Sequence, residues 1–185
     1  YSCNVTFARL GAALGEARFR RAAAAFGLTE APPFPLATAA GSLSQDDELP
    51  LPELVSAAFG QGELLVTPLY MSLVATAFAG DGTLPAPYLL TDVPGVRWSS
   101  IADERGTWRR PVPAGVAGRV RRAMVVSARE GWARSAGIGR GEGFSFGGKT
   151  GTAELGAGRA PHAWFIGFAP ADDPRVAVAV LVENG

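Results

Sequence analysis

The chain has 185 residues, enough for one domain with a substantial hydrophobic core. Its 17 basic and 17 acidic residues give a formal net charge of zero, and 48% of its residues are hydrophobic. This composition favours neither nucleic-acid binding nor disorder. The single Cys3 excludes an internal disulfide and a cysteine-rich zinc motif, and the sequence predicts no cofactor or metal.

Helical spacing dominates the first part of the chain. Phe7, Leu10 and Leu14 fall on one apolar stripe of a helix that begins near Asn4, a good N-cap residue. We expect Gly15 to interrupt this helix and a second helix to run from 16 to 26 before stopping at Gly27. Irregular chain is expected from 37 to 52.

Two further helices are predicted by their boundaries. Thr67-Pro68 has the form of an N-cap followed by proline at the first helical position, and glycines at 80 and 82 end that helix. Pro113 opens the next helix, which Gly131 closes. The apolar region 64–80 is shorter than the roughly 20 residues of a membrane span, so a buried helix is expected. Residues 84–98 are expected to be extended.

The last third of the chain predicts a sheet. Strands at 163–169 and 176–183 are joined by a short connector that contains residues 170–174 (PADDP), so they form an antiparallel hairpin, and 144–153 is a candidate third strand. Because both hairpin strands are apolar on both faces, helices are expected to cover both faces. The predicted fold is an α+β three-layer sandwich with an antiparallel sheet.

Residues 143–152 read GFSFGGKTGT and match three motifs that imply different chemistries. Residues 143–147 fit the G-x-S-x-G nucleophile elbow, and 143–150 fit the phosphate-binding loop G-x-x-x-x-G-K-T. Residues 149–151 fit the K-T-G strand of serine acyltransferases that recognise penicillin. The surrounding sequence has to decide among them.

The first two motifs lack the helix that each requires. A phosphate loop needs a helix that begins at its Lys-Thr pair, because the phosphate binds the free amides of that helix. Three glycines and a proline in the eleven residues after Thr150 disfavour one. The elbow also needs its acid before its histidine, whereas His162 precedes both Asp172 and Asp173.

The third motif has support elsewhere in the chain. Lys149 is the only lysine, which indicates either a cation chosen because its protonation can change or one lysine surviving by chance in an arginine-biased sequence. A K-T-G strand also requires a polar partner, and Ser2 and Asn4 form an S-x-N pattern directly before a helix. Asn4 as a simple helix cap is the alternative for that pattern.

Together these motifs resemble the transpeptidase domain of penicillin-binding proteins of the monofunctional class B type. The resemblance rests on residues 2–4, on 60–71 (GQGELLVTPLYM), and on 147–152 followed by HAWF at 162–165 and the hairpin. It spans nearly the whole chain. It implies a β-lactamase-like fold, with the antiparallel sheet covered by helices on both faces.

The resemblance also implies a reaction. In the family, a serine of an S-x-x-K motif attacks the carbonyl between two terminal D-alanines of a peptidoglycan stem peptide. An amine of a neighbouring stem then takes the acyl group, and penicillins acylate the same serine. Neighbouring lysine and serine groups activate the hydroxyl, while backbone amides stabilise the oxyanion.

By this resemblance, three residues of the chain are catalytic. Ser2 would relay a proton, Asn4 would hydrogen-bond the substrate amide, and Lys149 would bond Ser2 and keep the site electropositive. Cys3 is expected to be a small buried residue rather than a nucleophile. His162 begins a strand near the site and is assigned no role.

Three further residues would bind substrate. Thr150 and Thr152 are candidates for the substrate carboxylate, and the Thr152 amide would be half of the oxyanion hole. Gly151 would let the substrate lie close to the sheet edge. The implied partners are stem peptides ending in D-Ala-D-Ala and β-lactam antibiotics, with no nucleic acid.

One part of the family pattern is missing. Because Lys149 is the only lysine, the sequence holds no S-x-x-K motif, which in the family lies upstream of S-x-N. We therefore expect residues 1–185 to be a partial transpeptidase domain without its nucleophile segment and C-terminal helix. Such a chain is predicted to be inactive alone and to pair with a complementary fragment of the same protein.

Two other functions remain open. A β-lactamase or lactam-sensing module would use the same motifs, and a non-catalytic structural fragment would keep only the fold. The resemblance further implies membership of a cell-wall synthesis complex on the outer face of the bacterial cytoplasmic membrane.

Overall fold

The computed structural model describes residues 2–45, 48–89, 106–131 and 145–185. Its elements are α1 (Asn4–Leu14), α2 (Glu16–Ala25), α3 (Leu51–Ala57), α4 (Pro68–Ala79), β1 (Leu84–Pro85), β2 (Thr107–Arg109), α5 (Ala114–Glu130), β3 (Gly147–Ala153), β4 (His162–Ala169) and β5 (Val176–Val182). Strands β1 and β2 form a small antiparallel pair. Strands β3, β4 and β5 form an antiparallel sheet in that order, which confirms the predicted hairpin.

The predicted boundaries of the central helices are confirmed. The Thr67 hydroxyl accepts a hydrogen bond from the Tyr70 amide at 3.1 Å, Pro68 opens α4, and Gly80 caps its end. This cap satisfies one of the free amides at the start of the helix. Helix α5 likewise lies between Pro113 and Gly131.

Two expectations for α1 are wrong. Cys3 occupies the N-cap position without a side-chain cap, so Asn4 is the first helical residue. Phe7 and Leu10 of the predicted inward stripe are 46% and 57% exposed, and the buried residue of α1 is Gly11. A Cβ at Gly11 would lie 2.4 Å from the Ala58 Cβ. The helix therefore packs through its glycine against the end of α3.

Helix α3 was not predicted, and its first two residues fall in the stretch 37–52 that was expected to be irregular. Pro50 precedes the helix and Pro52 lies in its first turn, where the missing amide proton has no intrahelical acceptor to lose. Of the segment expected to be extended, only residues 84–85 form a strand, and residues 90–98 lie outside the described residues.

Helix α4 joins the layers of the fold. Its Leu73 and Ala77 are buried with Leu84 of β1, and Phe26 and Trp108 pack around them. At the end of the same helix, Ala79 is buried with Met124 of α5 and Phe168 of β4. A helix that is apolar nearly all round is expected at such a central position.

Helical cover of the main sheet lies on one face within the described residues. Ile166, Phe168 and Ala177 pack on this face near Ala79 and Met124. The opposite face of β5 carries four valines that are 38–58% exposed: Val176, Val178, Val180 and Val182. The prediction of an antiparallel sheet with packed helices is confirmed, and cover is observed on one of the two expected faces. Among the residues that the structure describes, no helix combines the length and apolar composition needed to cross a bilayer.

Candidate active site

Strand β3 is a glycine-rich strand that aromatic rings of β4 hold in place. A Cβ at Gly147 would lie 2.3 Å from the ring of Phe168, and one at Gly148 would lie 2.5 Å from the ring of Phe165. Glycine is therefore required where these rings lie against the strand. The rings replace the side-chain packing that two successive glycines cannot provide.

The extended conformation of β3 excludes the two rival motifs. Lys149 and Thr150 lie inside a strand rather than at the start of a helix, so the geometry of a phosphate loop is absent here. Ser145 leads into the same strand instead of the helix that a nucleophile elbow requires. Gly143, the first residue of both patterns, lies outside the described residues.

The six residues singled out from the sequence line one cleft of about 400 Å³. The cleft lies between the start of α1, the end of α3 and strand β3. Its lining comprises Ser2, Asn4, Phe7, Ala58, Phe59, Gln61, Lys149, Thr150, Gly151, Thr152 and Glu154. The fold thus brings the S-x-N and K-T-G-T patterns together from opposite ends of the chain.

Lys149 is a partly buried cation in this cleft. It pairs with Ile166 in the sheet, while Thr150 pairs with Phe165, so the two side chains leave opposite faces of β3. Its ammonium group donates a hydrogen bond to the Thr150 carbonyl at 2.6 Å. Burial lowers the pKa of Lys149, because it disfavours the charged form.

The structure does not contain the expected hydrogen bond between Lys149 and Ser2, both of which it describes. Both residues do line the same cleft. The side chain of Asn4 has no hydrogen-bond partner among the described residues and does not cap α1. Its carboxamide is therefore available to a ligand in the cleft.

Cys3, between the two S-x-N residues, is exposed rather than buried as expected. The hydroxyl of Thr6 donates a hydrogen bond to its sulfur at 3.2 Å, and this contact lowers the pKa of the Cys3 thiol. His162 has a structural contact, since its Nδ1 accepts a hydrogen bond from the Asn184 amide at 3.2 Å.

Gln61 is a cleft residue that the sequence analysis did not single out. Its side-chain nitrogen donates to the Thr152 carbonyl at 2.5 Å, and its side-chain oxygen accepts from the Glu154 amide at 3.1 Å. The position of Gln61 between two glycines was the available signal. Both glycines have positive φ angles, 84° at Gly60 and 77° at Gly62, which mark a tightly specified turn.

The chain matches the family model for the penicillin-binding protein transpeptidase domain over residues 1–185. It is 38% identical over 192 aligned positions to the peptidoglycan D,D-transpeptidase PbpA of Mycobacterium tuberculosis. This alignment covers all of the present chain and 37% of that relative. It is 31% identical to the stage V sporulation protein D of Bacillus subtilis, over 99% of this chain and 29% of that protein. The chain thus spans 37% and 29% of the length of these two relatives.

Solved structures show the same likeness. The imipenem acyl-enzyme complex of penicillin-binding protein A from M. tuberculosis superposes with a TM-score of 0.82 at 35% identity, over 100% of this chain and 41% of that one. The D,D-transpeptidase domain of a peptidoglycan glycosyltransferase from Eggerthella lenta gives a TM-score of 0.81 at 30% identity, over 100% of this chain and 47% of that one.

Proposed function

Because the chain belongs to the penicillin-binding protein transpeptidase family, we propose that it forms part of a D,D-transpeptidase that cross-links peptidoglycan stem peptides. One observation carries the assignment to this cleft. Ser2 and Asn4 meet residues 149–152 along a single groove, although nearly the whole chain separates them. The sequence of the chain contains no S-x-x-K motif, so the nucleophilic serine is expected outside these 185 residues.

The proposed reaction has two acyl transfers. The serine oxygen forms a bond to the carbonyl carbon between the two D-alanines, the C–N bond breaks, and the serine proton ends on the departing D-alanine amine. An amine of a second stem then attacks the ester and passes a proton back to the serine oxygen. Lys149 and Ser2 are proposed to carry these protons, which is compatible with the lowered pKa of Lys149.

The edge of β3 is proposed to bind the substrate. In an extended strand, the amide and carbonyl of one residue point the same way. The Thr152 carbonyl points towards Gln61 at the outer edge, so the Thr152 amide also faces outwards, as an oxyanion donor must. Lys149 and the hydroxyls of Thr150 and Thr152 supply the positive charge and donors that a terminal carboxylate requires. Asn4 would hold the substrate amide.

Gly151 fits the role of a close-approach residue on this edge. Its side of the strand is open apart from Trp164, whose Cβ would lie 3.2 Å from an added Cβ. A peptide can therefore lie against the backbone of β3 without meeting a side chain at this point.

The further partners and the location follow from the family. We propose β-lactam antibiotics as covalent inhibitors, a complementary segment of the same protein that carries the nucleophile, and a cell-wall synthesis complex on the outer face of the cytoplasmic membrane. The same cleft could serve a β-lactamase or a lactam sensor, and the D,D-transpeptidase names of its relatives favour cross-linking over these alternatives.

The test is a transfer assay on the complete protein that carries this chain. A soluble donor peptide ending in D-Ala-D-Ala is incubated with a D-amino acid as acceptor, and mass spectrometry quantifies released D-alanine and the exchanged peptide. We expect transfer product, and we expect penicillin to suppress it. Hydrolysis without transfer would indicate a hydrolase. The absence of both turnover and penicillin acylation would indicate a non-catalytic protein.

A further inference from the structure

We propose that Gln61 is a positioning residue that fixes the oxyanion-binding edge of β3, an inference that rests on the proposed transpeptidase function. One carboxamide bonds the carbonyl of Thr152 and the amide of Glu154, at 2.5 and 3.1 Å. Pairing with the carbonyl of one residue and the amide two residues later is what a residue of a neighbouring parallel strand does. Gln61 therefore takes the place of a missing strand at this point.

The free edge of β3 explains why such a substitute matters. The sheet order is β3-β4-β5, so within the described residues no strand pairs with the outer edge of β3. The strand contains Gly147, Gly148 and Gly151, and glycine weakens a strand interior because its unfolded backbone is freer. Without Gln61, strand β4 would supply the only hydrogen bonds to the end of the strand around the Thr152 peptide among the described residues.

Gln61 is itself held firmly by the end of α3. The Gly60 amide bonds the Ala57 carbonyl at 3.0 Å, and the Gln61 amide bonds the Ser56 carbonyl at 3.0 Å. With Gly60 at a φ of 84°, this is the Schellman arrangement, in which a left-handed glycine ends the helix. The backbone of Gln61 is thereby fixed relative to α3.

Helix α3 also carries the other half of the site. It packs against α1 where Ala58 meets Gly11, and α1 begins at the S-x-N residues. Through α3 and α1, the Gln61 carboxamide thus links the segment that carries Ser2 and Asn4 to strand β3, which carries Lys149 and Thr152. Its proposed role is to fix the position of the Thr152 amide relative to Ser2 and Asn4 on the opposite wall of the cleft.

The consequence for the reaction is a loss of rate rather than of binding. An oxyanion donor acts in the transition state, so a displaced Thr152 amide lowers the acylation rate constant more than the affinity of the first encounter. Misplacement by about 1 Å can cost on the order of 100-fold in rate. We therefore expect Gln61→Ala to lower the acylation rate constant about 10–100-fold.

The experiment uses the complete protein and a fluorescent penicillin in stopped flow, which separates the dissociation constant of the encounter complex from the acylation rate constant. Hydrogen exchange at the Glu154 amide reports the second contact of Gln61. The variants are Gln61→Ala and Gln61→Glu, with Gln45→Ala as the matched control, because Gln45 does not line the cleft. The carboxylate of Gln61→Glu can still accept from Glu154 but cannot donate to Thr152.

We expect Gln61→Ala to lower the rate constant and to speed exchange at Glu154. Gln61→Glu should lower the rate constant while Glu154 stays protected, and Gln45→Ala should change neither. An unchanged rate constant in Gln61→Ala would overturn the inference, whatever happens to exchange. If the unsubstituted protein were not acylated at all, the proposed function would fail instead, and unchanged Glu154 exchange in Gln61→Ala would separately refute the contact.

Discussion

Within the described residues, strands β3 and β5 are the two outer strands of one sheet, and each pairs with β4 over seven residue pairs. Strand β5 reads VAVAVLV, a sequence of high strand propensity in which valine occupies every second position. Strand β3 reads GGKTGTA, which has little propensity of its own. Strand β5 is explained by its own residues, whereas strand β3 needs support from other parts of the chain.

That support comes from tertiary contacts. The rings of Phe165 and Phe168 lie against two glycines of β3, and the Gln61 carboxamide bonds its outer edge. The comparison shows why β3 departs from the rule for strands. Bulky strand-forming side chains would stabilise it but would occupy the cleft in which the substrate peptide is proposed to lie.

The largest effect is expected when Lys149, the cation of β3, is replaced. Lys149→Met in the complete protein should lower the rate of acylation by penicillin by about 10²–10⁴-fold, because it removes the group that is proposed to transfer protons. Lys149→Arg should not restore the rate, since a guanidinium keeps its proton. Stopped-flow labelling measures both.

The matched control lies beside β5. Arg175→Met also removes one positive charge, from an exposed ion pair with Asp173 at 2.6 Å. It should leave the acylation rate unchanged, because exposed ion pairs contribute little and this one does not line the cleft. Equal losses in both variants would mean that net charge, rather than the position of Lys149, determines the rate.

Alanine at two glycines of β3 should separate stability from activity. Gly147→Ala places its Cβ 2.3 Å from the buried ring of Phe168 and should lower the free energy of unfolding by about 1–3 kcal/mol. Gly151→Ala meets only Trp164 at 3.2 Å and should leave the stability nearly unchanged while slowing acylation. Urea unfolding and penicillin labelling of both variants provide the measurements. A stable, slow Gly147→Ala protein would contradict the packing account.

The valine face of β5 should tolerate polarity. Val180 is 48% exposed, so the isosteric Val180→Thr change should alter the free energy of unfolding by no more than about 0.5 kcal/mol. Urea unfolding of the complete protein tests this. A cost above about 1 kcal/mol would show that the face is covered there, as the expectation of helices on both sides of the sheet requires.

The smallest effect concerns pH. Burial lowers the pKa of Lys149 below its usual 10.5, so the folded state releases this proton at a lower pH than the unfolded state does. The unfolded state then binds more protons between the two values, and stability rises with pH up to about 10.5. As pH rises across this window, the unfolding free energy of the unsubstituted protein should therefore increase relative to that of Lys149→Met. A relative loss would mean that a partner stabilises the charged form.

The sequence predicted what local chemistry determines. The cap at Thr67, the break at Gly15 and the hairpin of β4 and β5 depend on neighbouring residues, and the structure confirms all three. The motif residues were also brought into one cleft. Their individual roles stay predictions.

The missed features depend on contacts between distant segments. Gln61 bonds residues 152 and 154; its flanking glycines indicate a turn, but they do not reveal that its carboxamide pairs with a strand so far along the chain. The stripe on α1 was misjudged because the close approach of Gly11 to Ala58 determines which face is buried. The start of α3 fell in the stretch that was expected to be irregular, although its first turn accommodates the prolines found there.

The most direct test is to map the penicillin adduct. The complete protein is labelled with penicillin, digested, and sequenced by mass spectrometry to identify the modified peptide. The account predicts one acylated serine, in an S-x-x-K motif outside these 185 residues, and much slower labelling of that serine in Lys149→Met. An adduct on Ser2 or Ser145, or labelling of Lys149→Met at the rate of the unsubstituted protein, would contradict it.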